Sequence, residues 1–256
     1  MIALLVVVTG LFGTILVLME IGRRIGVRRK HEDPDGSHAG LGAIEGAVFG
    51  LMGLLIAFTF SGAAARFDAR RQLIGDESNA IGTAYLRIDL LPVAEQPALR
   101  EDFRNYLDAR IEYFKNLDSN AEAAKAALDN SVALQKQIWD KSVIGCAQVN
   151  FSATTSLVLS SLNAMIDITT TRAVALQTHP PKIIYWGLAV LVFASALLAG
   201  YSLGEAKTRS WLHLLLFSSI LAISLYVIFD LEYPRAGLIR IETADRVLRE
   251  LRSSMK

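Results

Sequence analysis

Residues 41–65 read LGAIEGAVFGLMGLLIAFTFSGAAA, and only Glu45 among them is ionisable. A helix needs about 20 apolar residues to cross a hydrocarbon core of ~30 Å, and this stretch is longer. Three more runs share its character: Ile2–Met19, Lys182–Leu203 and Trp211–Phe229. None carries a central charge, and the acidic residues Glu20, Glu45, Glu205 and Asp230 fall towards the ends. A backbone surrounded by lipid must satisfy its own polar groups, so all four are expected to be helices. The predicted fold is all-α: four membrane spans, paired two and two around a large polar insert.

Composition agrees. Apolar residues make up 52% of the 256 residues, yet charged residues still reach 20%, which suits a membrane part joined to a water-facing part. The formal net charge of +1 gives no bias towards nucleic acid. Cys146 is the single cysteine, so no intrachain disulfide forms. No two of the four histidines (His31, His38, His179, His213) have metal-ligand spacing on one expected helix, and no cofactor is implied. The first run lacks a basic leader and an A-x-A site, so it reads as a retained span and not a secretory signal.

Residues 20–40, EIGRRIGVRRKHEDPDGSHAG, are expected to form a polar hairpin loop that turns around Pro34-Asp35-Gly36. Its five basic residues, Arg23, Arg24, Arg28, Arg29 and Lys30, favour a cytoplasmic position, as do Lys207 and Arg209 in the other short loop. That places the insert and both termini on the far side. A basic belt touching anionic head groups is the alternative role for these residues.

The insert, residues 66–180, reads as helix throughout. Expected helices are Arg66–Leu91, Pro97–Leu117, Ala121–Ile144 and Ser152–Gln177, with Pro92, Pro97 and Pro180-Pro181 as boundaries. Their apolar stripes include Ile74, Ile81, Tyr85 and Ile88, then Leu99, Phe103, Leu107 and Phe114. They continue with Val132, Leu134 and Ile138, then Leu157, Leu162 and Met165. From Arg66 to Arg172, 12 basic residues face 14 acidic ones, a balanced solvated surface. No proline interrupts residues 43–91, so the first insert helix is expected to continue the second span, with Gly62 and Gly75 as its points of bending. The domains are then a first hairpin (1–65), the insert (66–180), a second hairpin (181–230) and a C-terminal helix (231–256).

Within the second span, Gly42, Gly46 and Gly50 fall on one helical line that continues through Leu54, Phe58 and Gly62. Such glycines let helices approach closely. Gly42 and Gly46 are candidates for helix packing. Gly50, Leu54, Phe58 and Gly62 are candidates to line a pore, with Leu54 and Phe58 as a constriction that gates by dewetting. Glu45 and Arg66, near the two ends of the span, are candidate pore-mouth charges. Asp230 and Glu232, at the exit of the fourth span, fit either turn chemistry and ion pairing with Arg235 or a weak cation site. The Ser/Thr run at Ser152–Ser161 looks like a helix N-terminus. No nucleophile–base pair or phosphate-cradling glycine loop stands out, so an enzyme is not expected.

Three blocks resemble the bestrophins, and more closely the bestrophin-like domain family. These are Leu54–Pro92 (LLIAFTFSGAAARFDARRQLIGDESNAIGTAYLRIDLLP) with its Arg66-Phe67 pair, the exit EYPRAG (Glu232–Gly237), and the order hairpin, helical insert, hairpin, C-terminal helix. The resemblance implies an oligomeric ion channel, a pentamer, with the neck near Gly50, Leu54 and Phe58. It also implies a cytoplasmic insert, the reverse of the basic-loop reading. Tyr233 and Arg235 depart from the acidic run that holds calcium in bestrophins. Expected partners are the lipid bilayer, further copies of the chain and inorganic ions, in the plasma membrane. The alternative is a non-conducting membrane scaffold or sensor whose insert binds a partner.

Overall fold

The computed structural model describes residues 2–32, 41–149, 151–204, 210–233, 237–239 and 242–255. Pro34-Asp35-Gly36, Glu205, Lys207, Arg209, Pro234 and Arg235 lie outside the described residues. Among the described residues eight α-helices follow one another: α1 (Ile2–Glu32), α2 (Leu41–Arg87), α3 (Gln96–Asn116), α4 (Ala121–Ala147), α5 (Ser152–Gln177), α6 (Lys182–Leu203), α7 (Trp211–Glu232) and α8 (Glu242–Ser254). A 3-10 turn, Ile88–Leu90, closes α2. No strand occurs among the described residues. Among the described residues, four helices are long and apolar enough to cross a membrane, within Val6–Glu32, Gly42–Leu90, Ser152–Leu203 and Trp211–Glu232.

The chain divides into two compact units. One comprises residues 1–67 and 179–239, the other residues 68–178 and 240–256.

In the first unit α1 packs chiefly on α6 and α7. Ile15 and Met19 meet Leu188, Val192 and Ala196 of α6 and Leu214, Leu221, Leu225 and Ile228 of α7 in one apolar core. The α1–α6 seam is glycine-made. A Cβ on Gly200 would lie 2.0 Å from the Met19 carbonyl oxygen, and one on Gly22 2.0 Å from that of Leu197. Gly26 and Gly204 would be similarly crowded, at 2.3 Å from Tyr201 O and 2.6 Å from Arg23 O. Gly22-x3-Gly26 on α1 and Gly200-x3-Gly204 on α6 thus bring two backbones into contact. This seam also corrects the expected loop at residues 20–40. Residues 20–32 remain helical because their glycine face is packed on α6.

In the second unit the end of α2 meets α3, α5 and α8, and α4 packs on α3 and α5. Ile74, Ile81, Tyr85, Ile88, Leu99, Phe103, Tyr106, Leu107, Ile138, Leu162 and Met165 are buried. Pro97 opens α3, where a missing N–H costs nothing. Asn120 caps α4 by accepting the Ala123 N–H at 3.1 Å. Arg70 serves the far end of α5, donating to the carbonyls of Ala175 (3.1 Å) and Thr178 (2.9 Å). Two expected core residues are exposed, Val132 (56%) and Leu157 (45%). The buried stripe of α4 instead runs through Ser131, Leu134, Gln135, Ile138 and Ser142. Gln135 donates to the Tyr106 hydroxyl at 3.1 Å, which lets a polar residue occupy the inner face. Burial pushes the Tyr106 phenol well above its ordinary value, so it stays neutral.

At the centre of this unit is a buried charge group. Glu77 accepts from Arg110 Nε at 2.7 Å and pairs through its other oxygen with Arg172. All three side chains are almost wholly inaccessible. The guanidinium of Arg172 lies 3.7 Å from the Phe114 ring centroid and that of Arg110 5.0 Å from it. Burial disfavours the charged Arg110, but Glu77 outweighs it and carries the guanidinium above its ordinary value.

Candidate functional site

The site is built on α2 and on what α6 and α7 set beside it. α2 is helical without a break from Leu41 to Arg87, through both Gly62 and Gly75. Its most apolar stretch is 6% buried inside the chain, against 33% for the corresponding stretch of α7. Gly42, Gly46 and Gly50 are exposed, and a Cβ at each would meet nothing within 4 Å. Leu54 is 52% and Phe58 67% exposed. The face singled out by its spacing is therefore uncovered by the described residues of its own chain. Gly62, the last member of the line, lies under a guanidinium: its Cβ would be 3.2 Å from Arg66 Nη1.

Other positions around α2 are attached. Met52 and Ala63 are buried in the core of this unit. Phe49 meets the Phe217 ring edge-on at 6.2 Å. Glu45 accepts a hydrogen bond from the Ser202 hydroxyl of α6 at 2.6 Å. Glu45 and Arg66 are 21 residues apart, so about 30 Å of helix separates them.

At the Arg66 end, charge is gathered from three elements. Arg66 donates to Glu232 Oε2 through Nε (2.9 Å) and Nη2 (2.7 Å). His179 Nδ1 lies 2.8 Å from Glu232 Oε1. The Glu232 side chain is fully buried, while Arg66 and His179 keep part of their surface. The His179 ring stacks on Tyr233 at 4.9 Å between centroids. Arg66 is thus a neutralised cation, and Glu232 is held by side chains from α2 and from the segment before α6. Arg235, the partner expected for one of the two carboxylates, lies outside the described residues.

Asp230, two residues earlier, does turn chemistry. It is buried, and its Oδ2 accepts the backbone N–H groups of Leu238 (3.1 Å) and Ile239 (3.0 Å). A Cβ on Gly237 would lie 1.3 Å from Asp230 Oδ1. The chain folds back onto α7 only because residue 237 has no side chain. Among the described residues, no group of three or more His, Cys, Asp or Glu side chains is placed to hold a metal ion.

Beside Arg66, α2, α6 and α7 enclose a cavity of about 200 Å³. Leu55, Thr59, Ile184, Tyr185 and Ile228 line it, and Phe58 lies at its rim. The Ser/Thr run at the start of α5 is engaged within its helix. Ser160 and Ser161 donate to the carbonyls of Leu157 (3.2 Å) and Val158 (2.8 Å).

The pairing of Arg66 with Glu232 and the α1–α6 glycine seam both escape sequence reading. The seam had a signal, four-residue glycine spacing, identical to the one noticed on α2. The pairing joins residues 166 positions apart, and nothing local marks it.

The family model for the Bestrophin-like domain matches residues 9–245. No curated protein matches the sequence. Among solved structures, a glycine-to-alanine variant of a membrane protein superposes with a TM-score of 0.69 at 16% identity, covering 94% of this chain and 98% of that one. Two variants of a bacterial bestrophin homologue from Klebsiella pneumoniae are also similar. A tyrosine-to-alanine form has a TM-score of 0.65 at 15% identity over 94% and 98% of the two chains. A tryptophan-to-alanine form has 0.67 at 14% over 96% and 98%. At these identities the likeness is one of fold.

Proposed function

The chain belongs to the Bestrophin-like domain family, and on that premise we propose that it is one subunit of a homo-oligomeric ion channel, a pentamer in the plasma membrane, with α2 lining the pore. The observation that carries this reading is the bare face of α2. An apolar helix whose glycine line meets nothing among the described residues of its own chain presents that line to lipid or to other copies. Around a symmetry axis, Gly42 and Gly46 are where neighbouring copies approach. Leu54 and Phe58 then form consecutive apolar rings, with Gly50 and Gly62 as the wider levels above and below. Rings of this kind oppose ion passage by dewetting. Glu45 and Arg66 mark the two mouths; because Glu232 neutralises Arg66, the selectivity of that mouth is weaker than a bare arginine ring would impose.

The test is ion flux in reconstituted vesicles. Phe58→Ala raises flux over wild type, and Leu54→Ala does so less. Flux absent from wild type and from both variants, in protein that remains oligomeric, favours the non-conducting scaffold.

A further inference from the structure

We propose that the groove between α1 and the start of α7 is a binding site for an anionic phospholipid, with the acyl chain against the helices and the phosphate on Arg24 and Arg28. The groove encloses about 360 Å³ and is lined by Leu16, Val17, Glu20, Ile21 and Arg24 of α1 and by Trp211 and Leu214 of α7. It lies on the membrane-facing surface: Val17, Ile21 and Trp211 are all substantially exposed. Along α1 its lining changes from apolar to charged. Val17 and Ile21 are followed on the same helical face by Arg24 and, about 6 Å further along the axis, by Arg28. An occupant must therefore be apolar over the first turns and anionic over the next ones.

The electrostatics select the sign. Between residues 20 and 32 of α1, five basic residues stand against Glu20 and Glu32. Glu20 is shared by Arg23 and Arg24, at 2.9 and 3.0 Å, so one carboxylate serves two guanidiniums. Arg24 remains largely exposed beyond that contact. Arg28 and Arg29 are exposed, and neither forms an ion pair among the described residues. The first turn of α7 adds to this field. Ser210 provides it no side-chain cap and instead lies 2.5 Å from His213 Nδ1, so the positive end of the helix dipole faces the groove's charged end. Trp211 is the residue type that anchors helices at head-group depth. Basic pockets between membrane helices recognise acidic head groups in this way. The site does not depend on whether the protein conducts.

The test is native mass spectrometry of the full-length protein from a neutral detergent. The probes are phosphatidylglycerol, phosphatidylcholine with the same chains, and glycerol phosphate as a head group without chains. Wild type is expected to retain phosphatidylglycerol at least about tenfold better than phosphatidylcholine. The double variant Arg24→Gln/Arg28→Gln is expected to lose that preference, while Lys136→Gln in the other unit keeps it. Val17→Trp fills the groove without altering its charge and is expected to lower retention of phosphatidylglycerol several-fold. Glycerol phosphate is expected not to bind measurably. Equal retention of the two lipids by wild type overturns the proposal. So does an undiminished preference in the double variant, or undiminished retention in Val17→Trp. Binding of glycerol phosphate as strong as that of phosphatidylglycerol would mean a phosphate site that makes no use of the groove.

Discussion

Arg66 and Glu232 are joined across 166 positions of sequence, with Nη2 2.7 Å from Oε2, and the carboxylate of the pair is fully buried. This contact ties α2 to the end of α7 at the level where α2 leaves its apolar segment. It converts two residues that look like surface charges into one structural element.

Removing one partner of such a pair leaves the other uncompensated, at a cost of about 3–5 kcal/mol when both are buried and less here because Arg66 is part-exposed. Arg66→Met is therefore expected to lower the melting temperature in detergent markedly. Glu232→Met is expected to act more mildly, because the part-exposed Arg66 it strands can reach solvent. The double variant Arg66→Met/Glu232→Met should recover much of the loss, and tryptophan-fluorescence melting curves of the four proteins measure the coupling. Additive losses in the double variant would mean the two side chains do not depend on each other.

The α1–α6 seam sets a sharper steric test. Gly200→Ala adds one carbon where the Met19 carbonyl oxygen is 2.0 Å away. The two backbones must separate, so this variant is expected to lose expression or to melt many degrees lower. Gly187→Ala on the same helix has nothing within 4 Å and is expected to match wild type. Comparable melting curves for the two would show that the helices are not held this close.

Gly46→Leu and Gly10→Leu separate folding from association. Neither position meets anything within 4 Å among the described residues of its own chain, so both subunits are expected to fold. Gly46 lies on the Gly42–Gly50 line of α2, whereas Gly10 lies on α1. Only Gly46→Leu is then expected to shift the size-exclusion profile towards smaller species. If the two profiles coincide, the glycine line is not the contact between copies, and the pore assignment of Leu54 and Phe58 falls with it.

Glu77 holds two guanidiniums in the interior of the second unit. Glu77→Gln removes the carboxylate that pairs with both and is expected to destabilise by about 3–5 kcal/mol. Asp140→Asn removes an exposed i, i+4 partner of Lys136 and is expected to change stability by no more than about 0.5 kcal/mol. Circular-dichroism melts of the two variants give the comparison, and a mild Glu77→Gln would argue against the triad as the unit's anchor.

Topology is testable with the native cysteine in place, since Cys146 is buried and its thiol is pushed up by that burial. The basic stretch Arg23–Lys30 predicts that His31→Cys is shielded from a membrane-impermeant maleimide in intact cells and that Ser119→Cys is labelled. The reverse pattern would place the insert in the cytoplasm, as the bestrophin resemblance implies.

The sequence by itself determined the all-helical class, the four apolar runs, the unbroken passage from the second run into the insert and the boundaries of α3 to α5. All of these rest on local chemistry: hydropathy over some twenty residues, helical periodicity, and proline at an end. It also marked the α2 face, because one helix's geometry is enough to align Gly42, Gly46, Gly50, Leu54 and Phe58. Tertiary structure decided what local chemistry does not encode. It paired Arg66 with Glu232 and His179, enclosed Glu77 between Arg110 and Arg172, and turned Val132 and Leu157 outward. It seated Gly22 and Gly26 on Gly200 and Gly204, which kept residues 20–32 helical where a loop was expected. The physical reason is the same in each case. A charge or a glycine has no fixed meaning until the chain brings a distant partner to it, and that partner decides whether it is surface, seam or core.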